Sequence, residues 1–200
     1  MPDSRADRPG DESAVHTFGS GAELPRSLAL DITFVASCLI VEDLDHAACS
    51  AYLRRLTDSG TVLFFTDLTE LQLHDVARAL RSGKSIVEPA TARSAPGGRL
   101  ELVPPAPEDL FDRWRTLLAS TEAMYCELPE VIEGMWSIMT EHDVDAARAA
   151  SVSLVHATQA DGLLTTDEAY GRFDSTALSL FVPDRRAGAF RRERSPRSSR

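Results

Sequence analysis

Ser27-Leu-Ala-Leu-Asp31-Ile-Thr33 is the stretch on which the reading of the chain turns. Three apolar residues run into Asp31, and Thr33 to Ile40 behind them have the composition of a short apolar helix. A short strand that ends on an ionisable residue is where an open α/β sheet carries its chemistry, because ligands bind in the crevice beyond the carboxyl ends of parallel strands. Asp31 is therefore the first candidate site residue. The alternative is that it only caps the helix that follows.

The pattern recurs downstream, where Gly162-Leu-Leu-Thr-Thr-Asp167 is a second short apolar strand closing on a carboxylate. After an acidic turn at 41–45, a helix from His46 to about Thr57 places Cys49, Tyr52, Leu53 and Leu56 on one side. Thr61 to Thr66 is β-branched and aromatic without polar alternation, as expected of a strand covered on both faces. Leu73, Val76, Ala77 and Leu80 then recur at helical spacing. That helix opens with Asp67-Leu-Thr-Glu70, close to a capping box in which Glu70 reaches back to the helix start. Two amphipathic helices follow, one carrying Leu110, Phe111, Trp114, Leu117 and Leu118, the other Ile132, Met135, Trp136 and Met139. Glu141-His-Asp-Val-Asp145 opens a helix of small residues, and Leu178 to Val182 make a last strand before Pro183. This order implies an α/β fold of three layers, with a central, mostly parallel sheet flanked by helices.

At 200 residues and 43% hydrophobic, the chain has room for one well-buried domain with tails. Residues 1–25, rich in Asp, Arg, Gly, Ser and Pro, read as a disordered leader, 26–183 as the domain, and 184–200 as a disordered Arg-rich tail. Residues 82–107 shift to Gly, Ser, Pro and Ala around one short extended piece at Arg99 to Val103, and loops of this length are usually functional or mobile. No run approaches the roughly 18 to 20 apolar residues of a membrane span. The N-terminus lacks the apolar core of a signal peptide, so a cytoplasmic protein is expected.

Cys38, Cys49 and Cys126 form no CxxC and read as reduced and structural, and no two of the five histidines have zinc-site spacing on one helix. The net charge of −10 is uneven: the last 17 residues hold seven Arg against two acids, which leaves −15 on the remainder. So acidic a body argues against general affinity for duplex nucleic acid. It leaves room for an anionic site that holds metal ions, because the metal reverses the local sign.

In a parallel sheet the carboxyl ends of neighbouring strands lie side by side. Asp31 and Asp167 follow strands, while Glu70 and Asp145 open helices that start at or close to the same edge. Four carboxylates brought to one pocket cost free energy unless a cation offsets them. Hard divalent ions such as Mg²⁺ or Mn²⁺ suit such oxygen ligands, and a metal-bound water is a nucleophile for phosphodiester hydrolysis. The implied chemistry is metal-assisted cleavage of nucleic acid.

With these residues in view, the sequence resembles the PIN-domain nucleases, and among them the VapC-type toxins of bacterial toxin–antitoxin pairs. The resemblance spans roughly Leu28 to Val182. It rests on Leu28-Ala-Leu-Asp31-Ile-Thr33, His46-Ala-Ala, Thr66-Asp-Leu-Thr-Glu70-Leu, Asp145-Ala-Ala and, most specifically, Leu163-Leu-Thr165-Thr-Asp167. It implies that Asp31, Glu70, Asp145 and Asp167 are the catalytic, metal-binding acids, with the hydroxyls of Thr33 and Thr165 holding carboxylates or water. The family's third acid is usually followed by an apolar residue and often a His. Here Ala147 and Arg148 follow, which makes Asp143 a competing third ligand. The resemblance further implies an endoribonuclease, a cognate antitoxin that covers the acidic pocket, and a homodimer formed through helices.

Single-stranded or loop RNA is the expected substrate, since unpaired strands bend into a cleft. Arg54, Arg55, Arg78, Arg81, Lys84, Arg93, Arg99 and Arg172 are candidates for steering phosphates, although each taken alone reads better as a solvated surface charge. Two other classes compete. An aspartyl-nucleophile phosphatase needs a second Asp two residues after the first, where this chain has Thr33. A catalytically inactive binding module would keep the fold for protein contacts, and a housekeeping RNA-processing nuclease would keep the chemistry without the antitoxin.

Overall fold

A computed structural model of the chain describes residues 15–19, 21, 23–82, 107–173 and 178–194. Among these residues are six strands and seven α-helices: β1 (Val15–Thr17), β2 (Ser27–Leu30), α1 (Ile32–Leu39), α2 (His46–Asp58), β3 (Val62–Phe65), α3 (Asp67–Arg81), α4 (Pro107–Thr121), β4 (Met124–Tyr125), α5 (Leu128–His142), α6 (Ala146–Thr158), β5 (Leu163–Leu164), β6 (Leu180–Val182) and α7 (Ala187–Arg194). Two 3-10 turns, Glu168–Arg172 and Asp184–Arg186, follow β5 and β6. The strands form one sheet in the order β1-β6-β5-β2-β3-β4, and every pair is parallel.

Period-two alternation sorts the strand side chains between two cores. Leu28, Leu30, Leu63, Phe65, Leu164 and Phe181 pack with α1, α2, α3 and α4 around the buried Phe34 and Trp114. Ala29, Leu163, Leu180 and Val182 face α5, α6 and α7. Gly162, just before β5, is a glycine of necessity, since a Cβ there would lie 2.5 Å from the Ser179 carbonyl oxygen and 2.8 Å from the Phe181 ring.

The order of the strands fixes where a ligand can go. From β2 the chain crosses through α1 and α2 to β3 and on to β4, then returns through α5 and α6 to β5 on the other side of β2. The direction of winding reverses between β2 and β5. Their carboxyl ends therefore flank the crevice in which open α/β sheets bind ligands.

Two boundaries differ from the sequence expectation. Val15–Thr17, inside the expected leader, form a strand paired with β6, and Phe18 is buried in a stack on Tyr52 at 4.2 Å between ring centroids. A three-residue edge strand is too short to show a period. In the expected tail, Asp184–Arg186 and Ala187–Arg194 are helical. The tail docks through Phe190, which is fully buried, worth about 2–3 kcal/mol on an area basis. Residues 1–14, the connection from 83 to 106 with Lys84, Arg93, Arg99 and the extended piece at 99–103, and residues 195–200 lie outside the described residues.

Charge also anchors the tail. Asp45, fully buried before α2, is bonded through its two carboxylate oxygens by Arg185 Nε and Arg186 Nε, and Arg186 reaches Glu168 Oε1 at 3.5 Å. Burial pushes the Asp45 carboxyl up, but the hydrogen bonds and charges of the two arginines outweigh it and hold it below its ordinary value of 3.8. A carboxyl depressed in the folded state contributes stability above its unfolded pKa and loses it as pH falls through the folded one. Asp45→Asn is expected to lower the free energy of urea unfolding by about 2 kcal/mol at pH 6, the scale of charged hydrogen bonds. The gap to wild type should close below pH 3.8. A gap unchanged by pH would contradict the ion-pair account.

Candidate active site at the carboxyl edge of the sheet

Asp31 directly follows β2 and caps α1, its Oδ2 accepting the Thr33 N–H at 3.1 Å. Its backbone N–H donates to the Leu164 carbonyl at 3.1 Å, which ties it to β5. The side chain is 2% exposed and its oxygens are saturated. Oδ2 also takes the Thr33 hydroxyl and, at 2.9 Å, the Thr165 hydroxyl. Oδ1 takes the Tyr170 hydroxyl at 2.9 Å and that of Ser151 at 3.2 Å. Burial pushes the Asp31 carboxyl above its ordinary value, a shift opposed by the Thr33 hydrogen bond, reinforced by the charge of Asp167 and opposed again by Tyr170 and Thr165. The phenol of Tyr170, fully buried beside that carboxylate, is held well above its own ordinary value by burial and by the Asp31 charge.

Asp167 lies three residues beyond β5 and caps the first 3-10 turn, its Oδ1 accepting the Ala169 N–H at 3.0 Å. Thr165 links it to Asp31, for its hydroxyl donates to Asp31 and accepts the Asp167 N–H at 3.0 Å. Thr33 does the same for the neighbouring peptide, accepting the Thr166 N–H at 3.0 Å. Both threonine hydroxyls thus bond the Asp31 carboxylate.

Asp145 caps α6, its Oδ1 accepting the Arg148 N–H at 2.9 Å. Its other oxygen is bonded by Arg148 Nη1, while Arg148 Nε donates to Asp167 Oδ2 at 2.7 Å. Burial works against the Arg148 charge, but the hydrogen bond and charge of Asp167 and the charge of Asp145 outweigh it and raise its pKa. Asp143 closes α5 in the left-handed conformation at φ 50°, on the surface. Glu70 is one residue past the capping box, which Thr66 and Thr69 make instead: Thr66 accepts the Leu68 N–H at 3.2 Å, and the Thr69 hydroxyl takes the Thr66 N–H at 3.5 Å. The capping reading of Glu70 is thereby overturned. Its Oε1 accepts the indole N–H of Trp114 on α4 at 3.1 Å.

The crevice therefore joins Asp31, Asp167 and Asp145 in one hydrogen-bonded network, and no described hydrogen bond brings Glu70 into it. Among the described residues no three His, Cys, Asp or Glu side chains form a ready-made metal cage. The donor chemistry still suits a hard divalent ion, which keeps several waters and needs only one or two carboxylates. Asp145, about half exposed, and Asp167, one-fifth exposed, are the carboxylates open to one, and Arg148 stands on both.

No protein-family model matches the chain, and no curated protein matches it in sequence. Site residues not singled out from the sequence are Ser151, Tyr170 and, as a partner of the acids, Arg148. Tyr170 follows Asp167 by three residues, and Ser151 follows Arg148 by three on α6, spacings that carry a signal only once Asp31 is known to face both. A second concavity of about 770 Å³ opens between α1, α2 and α4, lined by Cys38, His46, Asp112 and Arg113. Its two acids, Asp109 and Asp112, both lie on α4, and Arg113 donates to the Leu39 carbonyl at 2.7 Å. Among the described residues, no helix is long and apolar enough to cross a membrane.

A buried carboxyl raised in the folded state costs stability once pH exceeds its unfolded value and it must ionise. Asp31→Asn removes that cost, so at pH 7 the variant is expected to match or exceed wild type in thermal unfolding, by up to about 1 kcal/mol. The advantage should shrink as pH falls towards 3.8 and be gone below it, where the carboxyl is protonated in the folded and unfolded chain alike. A loss of several kcal/mol at pH 7 would mark Asp31 as purely structural.

Proposed function

We propose that the chain is a Mg²⁺- or Mn²⁺-dependent endoribonuclease that hydrolyses RNA phosphodiester bonds at the crevice between β2 and β5. The observation that carries the reading is the pairing of Asp31 with Asp167 across the Thr165 hydroxyl, at the point where the sheet reverses its winding. The resemblance to PIN-domain nucleases supplies the activity. A bound divalent ion would supply an activated water and charge stabilisation for the attacked phosphate. The chain's residues provide the rest: Asp31 is fixed by five donors, Asp167 presents a partly open carboxylate, and Asp145 borders it at the start of α6.

A toxin of the VapC type, held by a cognate antitoxin, is the specific form of this reading, and a cytoplasmic location goes with it. The implied homodimer finds support in Ile132 and Trp136, one turn apart on α5 and 53% and 76% exposed. Asp143, at the surface beyond α5, is the alternative third ligand, and Glu70 would join the acids only on leaving Trp114. A second reading, a non-catalytic binding module, is favoured by one observation: Arg148 already neutralises Asp145 and Asp167.

The test is incubation of the purified chain with structured and unstructured RNA in Mg²⁺, Mn²⁺ or EDTA, beside Asp31→Asn and Asp167→Asn. Metal-dependent cleavage is expected, with either substitution lowering the rate by roughly 100-fold or more, the scale of lost catalytic groups. Equal cleavage by all three proteins, or none with any metal, would sink the nuclease.

A further inference from the structure

We infer that Arg148 and a divalent cation are alternative occupants of the gap between Asp145 and Asp167, so that ion binding releases the arginine. This deepens the metal-dependent reading above and rests on it.

Arg148 is not an incidental surface charge. Its Nε and Nη1 divide between two carboxylates on different elements, Asp167 after β5 and Asp145 before α6. In each acid Arg148 takes Oδ2, while Oδ1 is already held by a backbone N–H, that of Ala169 for Asp167 and that of Arg148 itself for Asp145. With the guanidinium in place both oxygens of both acids are engaged. An ion that ligates Asp167 must use the oxygen on which Arg148 sits or share its carboxylate with a second cation at contact, where like charges repel.

The anchor for such an exchange is independent of Arg148. Among the described residues the side-chain bonds to Asp31 come from Thr33, Ser151, Thr165 and Tyr170, so its position survives the departure of the arginine. Exchange also needs no backbone movement. Arg148 is rooted in the first turn of α6 and its side chain is already 34% exposed, so rotation about its long stem carries the guanidinium into water. The cost to the ion is the loss of charge-assisted hydrogen bonds. Arg148 thereby sets the ion concentration at which the crevice loads.

The experiment measures binding of Mn²⁺ to the full chain by the EPR signal of the free ion, for wild type, Arg148→Ala, Arg148→Met and Asp31→Asn/Arg148→Ala. Both single variants are expected to bind at least roughly tenfold more tightly than wild type, the equivalent of one charge-assisted hydrogen bond no longer broken. The double variant should lose that gain, which locates the ion. In wild type, titration with Mg²⁺ should abolish the slow solvent exchange of the Arg148 Nε–H seen by NMR. Equal or weaker Mn²⁺ binding in the two single variants, with binding still dependent on Asp31, would overturn the exchange while leaving the metal site standing. No Mn²⁺ binding by any of the proteins would overturn both.

Discussion

A carboxylate buried to 2% exposure at the end of the central strand is the constraint around which the carboxyl edge of the sheet is built. An isolated buried charge is expensive, and only a full set of donors makes it tolerable. Asp31 draws those donors from four places: the first turn of α1, the second turn of α6, the end of β5 and the 3-10 turn beyond it. The same bonds tie α1, α6 and the 3-10 turn to the end of β2, beside the backbone bonds that pair β2 with β5. Even so, its carboxyl stays above its ordinary value, with burial the dominant cause and the Asp167 charge adding to it. For stability alone an apolar residue would serve there better.

Capping and site roles coincide at this edge. Asp31, Asp145 and Asp167 each accept a backbone N–H at the start of a helix or 3-10 turn; Asp145 and Asp167 give their other oxygen to Arg148, while Asp31 takes the Thr165 hydroxyl on its capping Oδ2 and those of Ser151 and Tyr170 on Oδ1. In a parallel sheet the helices that follow strands begin at the carboxyl edge, so the N–H groups that need a cap and the crevice that binds ligands share one place. At Asp31, which the sequence offers as either a cap or a site residue, the cap is formed and the remaining bonds face the crevice. Glu70 is the exception, because Thr66 and Thr69 cap α3 without it and Trp114 takes its carboxylate.

What was legible in the sequence follows the presence of a period or of an apolar run with a marked end, as at the short β5 before Asp167 and β6 before Pro183. β2, β3 and the helices α1 to α6 carry enough residues for a hydrophobic period, and the alternation of strands and helices gave the parallel sheet. β1 and β4, three and two residues long, carry none, and α7 is visible only through Phe190 in an Arg-rich run. At the site, Asp31 and Asp167 are legible because each stands at the end of an apolar strand. Arg148 is not, because an arginine in a helix reads as a solvated charge until the residues it bridges, 3 and 19 positions away, are placed beside it.

Placing a divalent ion in the crevice tests the account most directly. Crystals grown with Mn²⁺ and measured at its absorption edge should give an anomalous peak on the Asp167 carboxylate, within the reach of Asp31, with the Arg148 guanidinium turned away from both acids. A crevice without such a peak at saturating Mn²⁺, with Arg148 still bridging Asp145 and Asp167, would contradict it.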